Sequence, residues 1–167
     1  MVPHERITLP GLLTKFFKRR GANGASDSDD PLYLLQESYR ELRSLSAQVS
    51  DHAVRAPYRG VSERLNRIAA EKQAGADLIR EKLPAAYRTP DQRPPEIESG
   101  GNHWERMARD LNDHTALETR LLERAARIEE QSTDLAELLR QIVRSNSRHV
   151  RDFMDLIARA DPQANQT

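Results

Sequence analysis

The chain has 167 residues, enough for one domain with tails, and 31% of them are charged, 37% apolar and only 5% aromatic. The formal net charge is zero, which gives no basis for a nucleic-acid partner, and the lack of Cys excludes disulfides, thiolate metal sites and a Cys nucleophile. No apolar run approaches the roughly 18 residues of a membrane span, and no secretory signal is recognisable, so the expected compartment is the cytoplasm.

Residues 1–30 are predicted to be an extension that precedes the folded domain. Residues 7–20 combine apolar and basic side chains, and residues 21–30 are rich in Gly, Ser and Asp, which predicts a flexible linker. Three interpretations of residues 7–20 stay open: docking on a protein partner, peripheral contact with an anionic membrane surface, or a tail without a partner. The side chains that would make either contact are Leu12, Leu13, Phe16, Phe17, Lys18, Arg19 and Arg20.

Two helices are predicted next. The first spans about residues 31–54, with Asp30 as an N-cap candidate and Pro31 in its first turn. A turn at residues 56–60 contains Pro57, which disfavours helix at the preceding residue. The second helix spans about residues 61–83 and is ended by Pro84. The apolar stripe of the first helix comprises Leu35, Tyr39, Leu42, Val49 and Ala53.

A long crossover, residues 84–101, separates these helices from two more. It is rich in Pro and Gly and has no helical or strand pattern. The third helix is predicted at about residues 102–128 and the fourth from Asp134, which with Glu137 forms an approximate capping box. The predicted bundle therefore spans residues 31–161, and residues 162–167 form a polar tail.

Two polar residues interrupt the apolar stripe of the fourth helix. Between Ile142 and Phe153 the stripe positions are occupied by Asn146 and His149, which are three residues apart and lie on one face. The second helix resembles the fourth at a shift of 74 positions: residues 62–72, SERLNRIAAEK, align with residues 136–146, AELLRQIVRSN. Two hairpins with similar second helices suggest a pseudo-twofold bundle.

This layout resembles the ferritin-like superfamily, the rubrerythrins, bacterioferritins and their relatives. In that superfamily each hairpin supplies one inward Glu from its first helix and Glu-x-x-His from its second, and the six ligands hold two irons. The resemblance covers residues 31–161 and is based on helix layout and stripe phase. It implies an all-α, up-down-down-up four-helix bundle with a long crossover between the second and third helices.

Most of the superfamily's ligands are missing when they are carried over residue by residue. Glu-x-x-His falls on Asn146 and His149 in the fourth helix and on Lys72 and Gly75 in the second. A shift of the second helix by one residue brings Glu71 into the Glu position but still leaves no His.

The ligands from the first helix of each hairpin fall near Tyr39 and Asp113, and a slip in register would let Glu37, Glu41 or His114 replace them. We interpret the whole layer as a vestigial metal site: Tyr39, Lys72, Asp113, His114, Asn146 and His149.

The donors of this layer do not suit iron, because Lys72 carries an ammonium where a cation would bind. Three interpretations stay open: a hydrogen-bonded layer that fixes helix register, a single metal ion bound by His149 with Asp113 or His114, and solvated groups in another register. The first predicts no cofactor. A related hypothesis pairs the Lys72 ammonium with Asp113 as a replacement for the metal charge.

Two functions from different classes follow. The first is a non-catalytic ferritin-like protein, an accessory or scaffold subunit that binds a protein partner or a second copy of itself partly through residues 7–20. The alternative is a metal-binding ferritin-like protein with an altered site for iron or oxygen chemistry. A third possibility is a helical module that binds a membrane surface. No catalytic residue is predicted.

Overall fold

A computed structural model describes residues 30–87 and 101–160 of the protein. This part of the chain has four α-helices and no strand, which confirms the all-α class and the four-helix bundle. The helices are α1 (Pro31–Val54), α2 (Arg59–Lys82), α3 (His103–Ile128) and α4 (Thr133–Arg159), and a short 3₁₀ turn, Ala85–Tyr87, follows α2. The predicted docking segment 7–20 lies outside the described residues.

The N-terminus of α1 is the one that the sequence predicts. The Asp30 side chain accepts a hydrogen bond from the Leu32 amide at 3.0 Å, and Pro31 occupies the first turn, where its missing N–H costs nothing. Helix α2 begins two residues before its predicted start. It ends at Lys82, because Leu83 adopts the extended conformation that a following Pro requires.

The N-terminus of α4 corrects a prediction. Ser132 is the N-cap, and its hydroxyl accepts from the Leu135 amide at 3.4 Å. Asp134 therefore already lies inside the first turn, and the Glu137 carboxylate pairs with Arg144 at 2.7 Å. A complete capping box is present at α3, where Asn102 and Glu105 cap each other's backbone.

The four helices form two hairpins, α1 with α2 and α3 with α4. The hairpins meet where α1 contacts α3 and α2 contacts α4. Ion pairs cross both junctions: Glu41 of α1 binds Arg124 of α3 at 2.8 Å, and Arg64 of α2 binds Asp155 of α4 at 2.6 Å. Among the described helices, none combines the length and the apolar character that crossing a bilayer requires.

The interior consists of two clusters of apolar side chains. The larger is built around Leu35, Leu42, Ile79 and Leu117, and the smaller around Val49, Leu65, Met107 and Phe153. The predicted stripe of α1 is confirmed throughout, since all five of its members are buried. The buried positions of α2 and α4 also coincide at the shift of 74, namely Leu65 with Leu139, Ile68 with Ile142, Lys72 with Asn146, Gly75 with His149 and Ile79 with Phe153.

Candidate functional site

A polar contact joins α2 and α4 in the middle of the bundle. The Lys72 ammonium donates a hydrogen bond to Asn146 Oδ1, and both side chains are buried, with 2% and 0% of their surface exposed. The Asn146 amide nitrogen donates in turn to the backbone carbonyl of His114, at 2.8 Å, and to Glu118 Oε2, at 3.2 Å. Asn146 thus uses its acceptor and both of its donors, and it links three helices.

The imidazoles of His114 and His149 lie beside this contact. Their rings meet edge to face with centroids 6.1 Å apart. His114 Nδ1 donates to the carbonyl of Asp110 at 2.7 Å, and His149 Nε2 lies 2.9 Å from Glu71 Oε2. Burial, and then the charge of Lys72, lowers the pKa of both rings, and for His114 well below its usual range. Both rings are therefore neutral at pH 7, and His149 donates its Nε2–H to Glu71.

Each of these imidazoles keeps one unused nitrogen. With Nδ1 of His114 and Nε2 of His149 acting as donors, His114 Nε2 and His149 Nδ1 are free acceptors. Both atoms are buried, and neither finds a hydrogen-bond partner among the described residues. Unpaired buried acceptors are uncommon, which marks this layer as a place where a further donor could bind.

The pKa of the Lys72 amine is unusually low. Burial lowers the pKa of Lys72 from 10.5 to about 7, although the nearby carboxylates of Glu118 and Glu71 favour the charged form. At neutral pH the amine is consequently divided between its charged and neutral forms. A lysine of this kind differs from a surface lysine, because its protonation responds to small changes in its surroundings.

The structure brings together four of the six residues predicted for the layer: Lys72, His114, Asn146 and His149. Tyr39 is buried in the larger apolar cluster, where the guanidinium of Arg43 lies 5.7 Å from its ring centroid. Asp113 is only partly buried, and its carboxylate accepts from Gln48 Nε2 at 2.8 Å.

The predicted pairing of Lys72 with Asp113 is therefore wrong. The inward positions of α3 include Asp110, His114 and Leu117, so residue 113 lies to one side of the buried face. His114, which the sequence offered as the replacement after a slip in register, occupies the interior instead. The carboxylates that act on Lys72 are Glu71 and Glu118.

A second buried polar cluster, which the helical patterns did not lead us to expect, joins α1 to α3. Asp110 accepts from His52 Nδ1 at 2.8 Å and from Gln48 Nε2 at 2.9 Å, and both His52 and Asp110 are fully buried. The sequence does contain a signal, since Gln48 and His52 are four residues apart next to the buried Val49 and Ala53. The backbone carbonyl of Asp110 also accepts a hydrogen bond from His114. Asp110 therefore connects the two polar clusters.

These donors do not fit a di-iron centre. Within residues 30–87 and 101–160, no three His, Asp, Glu or Cys side chains lie where they could hold one metal ion together. Two ferric ions would bring up to about six positive charges and need several carboxylates. The interior here instead contains an amine and an amide at Lys72 and Asn146, and the Glu71 side chain is 40% exposed.

A cleft between α2 and α4 reaches this layer from the surface. Its volume is ≈ 460 Å³. Gly75 opens it, because a side chain at this position would extend toward Ile142 and Leu42. The polar half of the lining comprises Glu71, Lys72, Ser145, Asn146, Arg148 and His149, and the remainder comprises Leu42, Ala74, Gly75, Leu78, Gln141, Ile142 and Arg144.

No protein-family model matches the sequence, and no curated protein matches it significantly.

Proposed function

We propose that this protein is a ferritin-like four-helix bundle without an iron site, and that it acts by binding a partner, as an accessory or scaffold subunit. The contacts between the hairpins support an up-down-down-up order. From Glu41 to His52 along α1, the partners on α3 run backwards from Arg124 to Asp110. Along α2, Arg64 and Lys72 contact Asp155 and Asn146 of α4, so the order of the partners is again the reverse of the chain order. This order, with a long crossover between α2 and α3, is the one that the ferritin-like resemblance implies.

One observation carries the proposal: Lys72 donates to Asn146. In the ferritin-like layout these two positions would each hold the Glu of a Glu-x-x-His motif. An ammonium bound to an amide satisfies this part of the interior without a metal, and its charge repels one. The same contact links α2 to α4, as a polar layer that fixes helix register would.

Binding to a partner is supported by exposed apolar side chains at one end of the bundle. Val54 and Tyr58, at the turn between α1 and α2, are 84% and 68% exposed, and Met154 near the end of α4 is 57% exposed. The Arg64–Asp155 ion pair brings the start of α2 next to the end of α4, so these side chains share one end. We propose that these side chains form part of a contact surface, as exposed apolar residues do when they make a contiguous patch. We propose that residues 7–20 contribute to the same role.

A metal assay tests the absence of an iron site. The full chain is produced in cells supplied with iron and manganese, and its metal content is measured together with that of His149→Ala. We expect both proteins to contain far less than one metal ion per chain. Stoichiometric iron or manganese in the wild type that is lost in His149→Ala would overturn the proposal.

That result would favour the second candidate, a metal-binding protein with an altered site. The observation behind this candidate is the pair of free buried nitrogens, His114 Nε2 and His149 Nδ1.

A cross-linking experiment tests the partner. The full chain is cross-linked in its own cells, and the products are compared with those of a double variant, Leu12→Asp with Phe16→Asp. Thr14→Asp is the control, because it adds a charge in the same segment without removing an apolar side chain. We expect the double variant to lose a cross-linked protein, or a cross-linked second copy, that Thr14→Asp retains. Identical products from all three proteins would contradict a docking role for residues 7–20.

A further inference from the structure

The cleft between α2 and α4 has the size of a ligand site. Its ≈ 460 Å³ falls within the range of about 300–1,000 Å³ that is usual for small-molecule pockets. Gly75 leaves a methyl-sized space in the wall of the cleft, since an added Cβ atom would meet the Ile142 side chain at 3.7 Å and Leu42 at 3.9 Å. The helices thus approach without side chains filling the space between them.

The inner part of the cleft contains polar groups with unused hydrogen-bonding capacity. Lys72 has three N–H donors and uses one for Asn146, the hydrogen bond that it makes to the described residues. Its two remaining N–H groups are the donors available to a ligand, since His149 Nδ1 beside them is an acceptor. Buried polar groups are normally satisfied, so this end of the cleft is suited to the polar end of a ligand.

The charges of the lining select an anion. Among the described residues that line the cleft, Lys72, Arg144 and Arg148 are basic and Glu71 is acidic. Arg144 is already paired with Glu137 at 2.7 Å, so Lys72 and Arg148 are the cations that face a ligand. Arg148 is exposed, and its guanidinium is 3.8 Å from Glu71 Oε2. Because Glu71 and Glu118 already act on Lys72, a second negative charge on the ligand would meet repulsion, and a monoanion fits better than phosphate.

The other half of the cleft is mainly apolar, with Gln141 and Arg144 as its polar members. Leu42, Leu78 and Ile142 line it around Gly75, and Leu78 is 40% exposed. One helical turn separates Leu78 from Ala74 and Ala74 from Glu71, so the lining changes from apolar to polar along the length of α2. A ligand that covers both halves has a charged head and an apolar tail.

We propose that this cleft binds a small organic monocarboxylate. Its carboxylate accepts hydrogen bonds from the Lys72 amine and the Arg148 guanidinium, and its hydrocarbon part lies against Leu78 and Ile142. Such a site is independent of the scaffold function proposed above, since a partner-binding bundle and a metal-binding one could both contain it.

An NMR titration of the full chain with hexanoate tests the proposal. The matched compounds are hexanol, which has the same tail without the charge, and inorganic phosphate, which has charge without a tail. We expect hexanoate to cause saturable shifts in the amides of residues 71–78 and 141–149, hexanol to bind about tenfold or more weakly, and phosphate to cause no saturable shift. Shifts without saturation, or equal binding of hexanoate and hexanol, would overturn the proposal.

Two pairs of variants locate the carboxylate. Lys72→Met and Arg148→Ala should each weaken hexanoate binding by about tenfold or more, as the loss of a charge-assisted hydrogen bond does. Lys82→Met and Arg151→Ala are the controls, since they remove exposed charges from the same helices outside the cleft. We expect both controls to bind like the wild type. Arg148 is itself exposed, so its variant tests the site without a change in the interior. Unchanged binding by Arg148→Ala and Lys72→Met would refute the assignment.

Discussion

Lys72 hydrogen-bonds to Asn146, the residue with which it aligns when α2 is compared with α4 at a shift of 74 positions. Glu71 and Ser145, the neighbouring pair at the same separation, are also in contact, at 3.3 Å. Residues related by a twofold axis touch each other only next to the axis, so contacts of this kind are expected if the sequence repeat reflects a pseudo-twofold axis between α2 and α4. Two identical charged residues would repel each other at such a point. A lysine opposite an asparagine provides a donor and an acceptor instead.

The stability of the protein should depend on the protonation of Lys72. Burial lowers its pKa to about 7 in the folded state, against about 10.4 in an unfolded chain. Between these two values the unfolded state binds one more proton than the folded state, so the free energy of unfolding rises with pH by up to about 1.4 kcal/mol per unit. Below pH 7 the full cost of burying the ammonium is present.

Lys72→Met tests this dependence. It removes a buried charge while keeping the length of the side chain, so we expect the variant to be at least as stable as the wild type at pH 6, and more stable by about 1–4 kcal/mol. The advantage should shrink steadily from pH 7 to pH 10, which urea unfolding at several pH values measures. Titrating groups that do not interact with Lys72 cancel in the difference between the two proteins, and the neighbouring His114 and His149 are neutral in the wild type over this pH range. An advantage that does not change with pH would mean that the Lys72 amine reaches water.

Gly75→Ala should stabilise the protein. Gly75 lies inside α2, where glycine costs roughly 0.5–1 kcal/mol relative to alanine. It does not have a positive φ, and the added Cβ would meet Ile142 and Leu42 at ordinary contact distances. We expect a gain of about 0.5–1 kcal/mol in thermal or urea unfolding. Ala74→Gly, on the exposed side of the same turn, is the converse control and should lose a similar amount. A clear loss of stability in Gly75→Ala would show that α2 and α4 approach each other more closely at Gly75 than these contact distances indicate.

The stripes of the helices were the most predictable part of the fold. Leu35 and Leu42 of α1 and Ile142 and Phe153 of α4 are buried as expected, because a 3.6-residue apolar period is visible in the sequence. The same period also predicts Lys72 and Asn146 in the interior, although both are polar. The repeat at a shift of 74 in turn predicts that equivalent positions of α2 and α4 are buried together.

The partners of the polar residues were much less predictable. Asp113 and His114 are adjacent, and a difference of one residue in the phase of α3 decides which one enters the bundle. The Glu118 and Glu71 carboxylates act on Lys72 from sequence positions that the stripe did not single out. Such contacts depend on the packed register of two helices that are distant in the chain, and a helical period does not contain that information.

The N-cap of α4 offers a direct test of one corrected prediction. Ser132 accepts a hydrogen bond from the Leu135 amide, whereas Asp134 lies within the first turn. We expect Ser132→Ala to lower the free energy of unfolding by about 1 kcal/mol. Asp134→Ala loses only a favourable interaction with the helix dipole, at about 0.3–0.5 kcal/mol. If urea unfolding shows a larger loss of free energy in Asp134→Ala than in Ser132→Ala, Asp134 is the N-cap after all.

Asp110 and Asp113 form the sharpest matched pair in the protein. Both carboxylates accept from Gln48 Nε2, at 2.9 and 2.8 Å. Only Asp110 is fully buried, where it also binds His52 at 2.8 Å. Asp110→Ala would leave the buried His52 Nδ1–H without its acceptor, and an unsatisfied buried donor costs about 1–3 kcal/mol.

Asp113→Ala removes one partly exposed hydrogen bond and should cost about 1 kcal/mol or less. Urea unfolding of the two variants measures the difference, and His52→Ala should lose nearly as much as Asp110→Ala if the two residues act as a pair. Equal, small losses in all three variants would mean that this cluster contributes little to stability. A dominant loss in Asp113→Ala would instead support the register that the sequence pattern favours for α3, with residue 113 facing the interior.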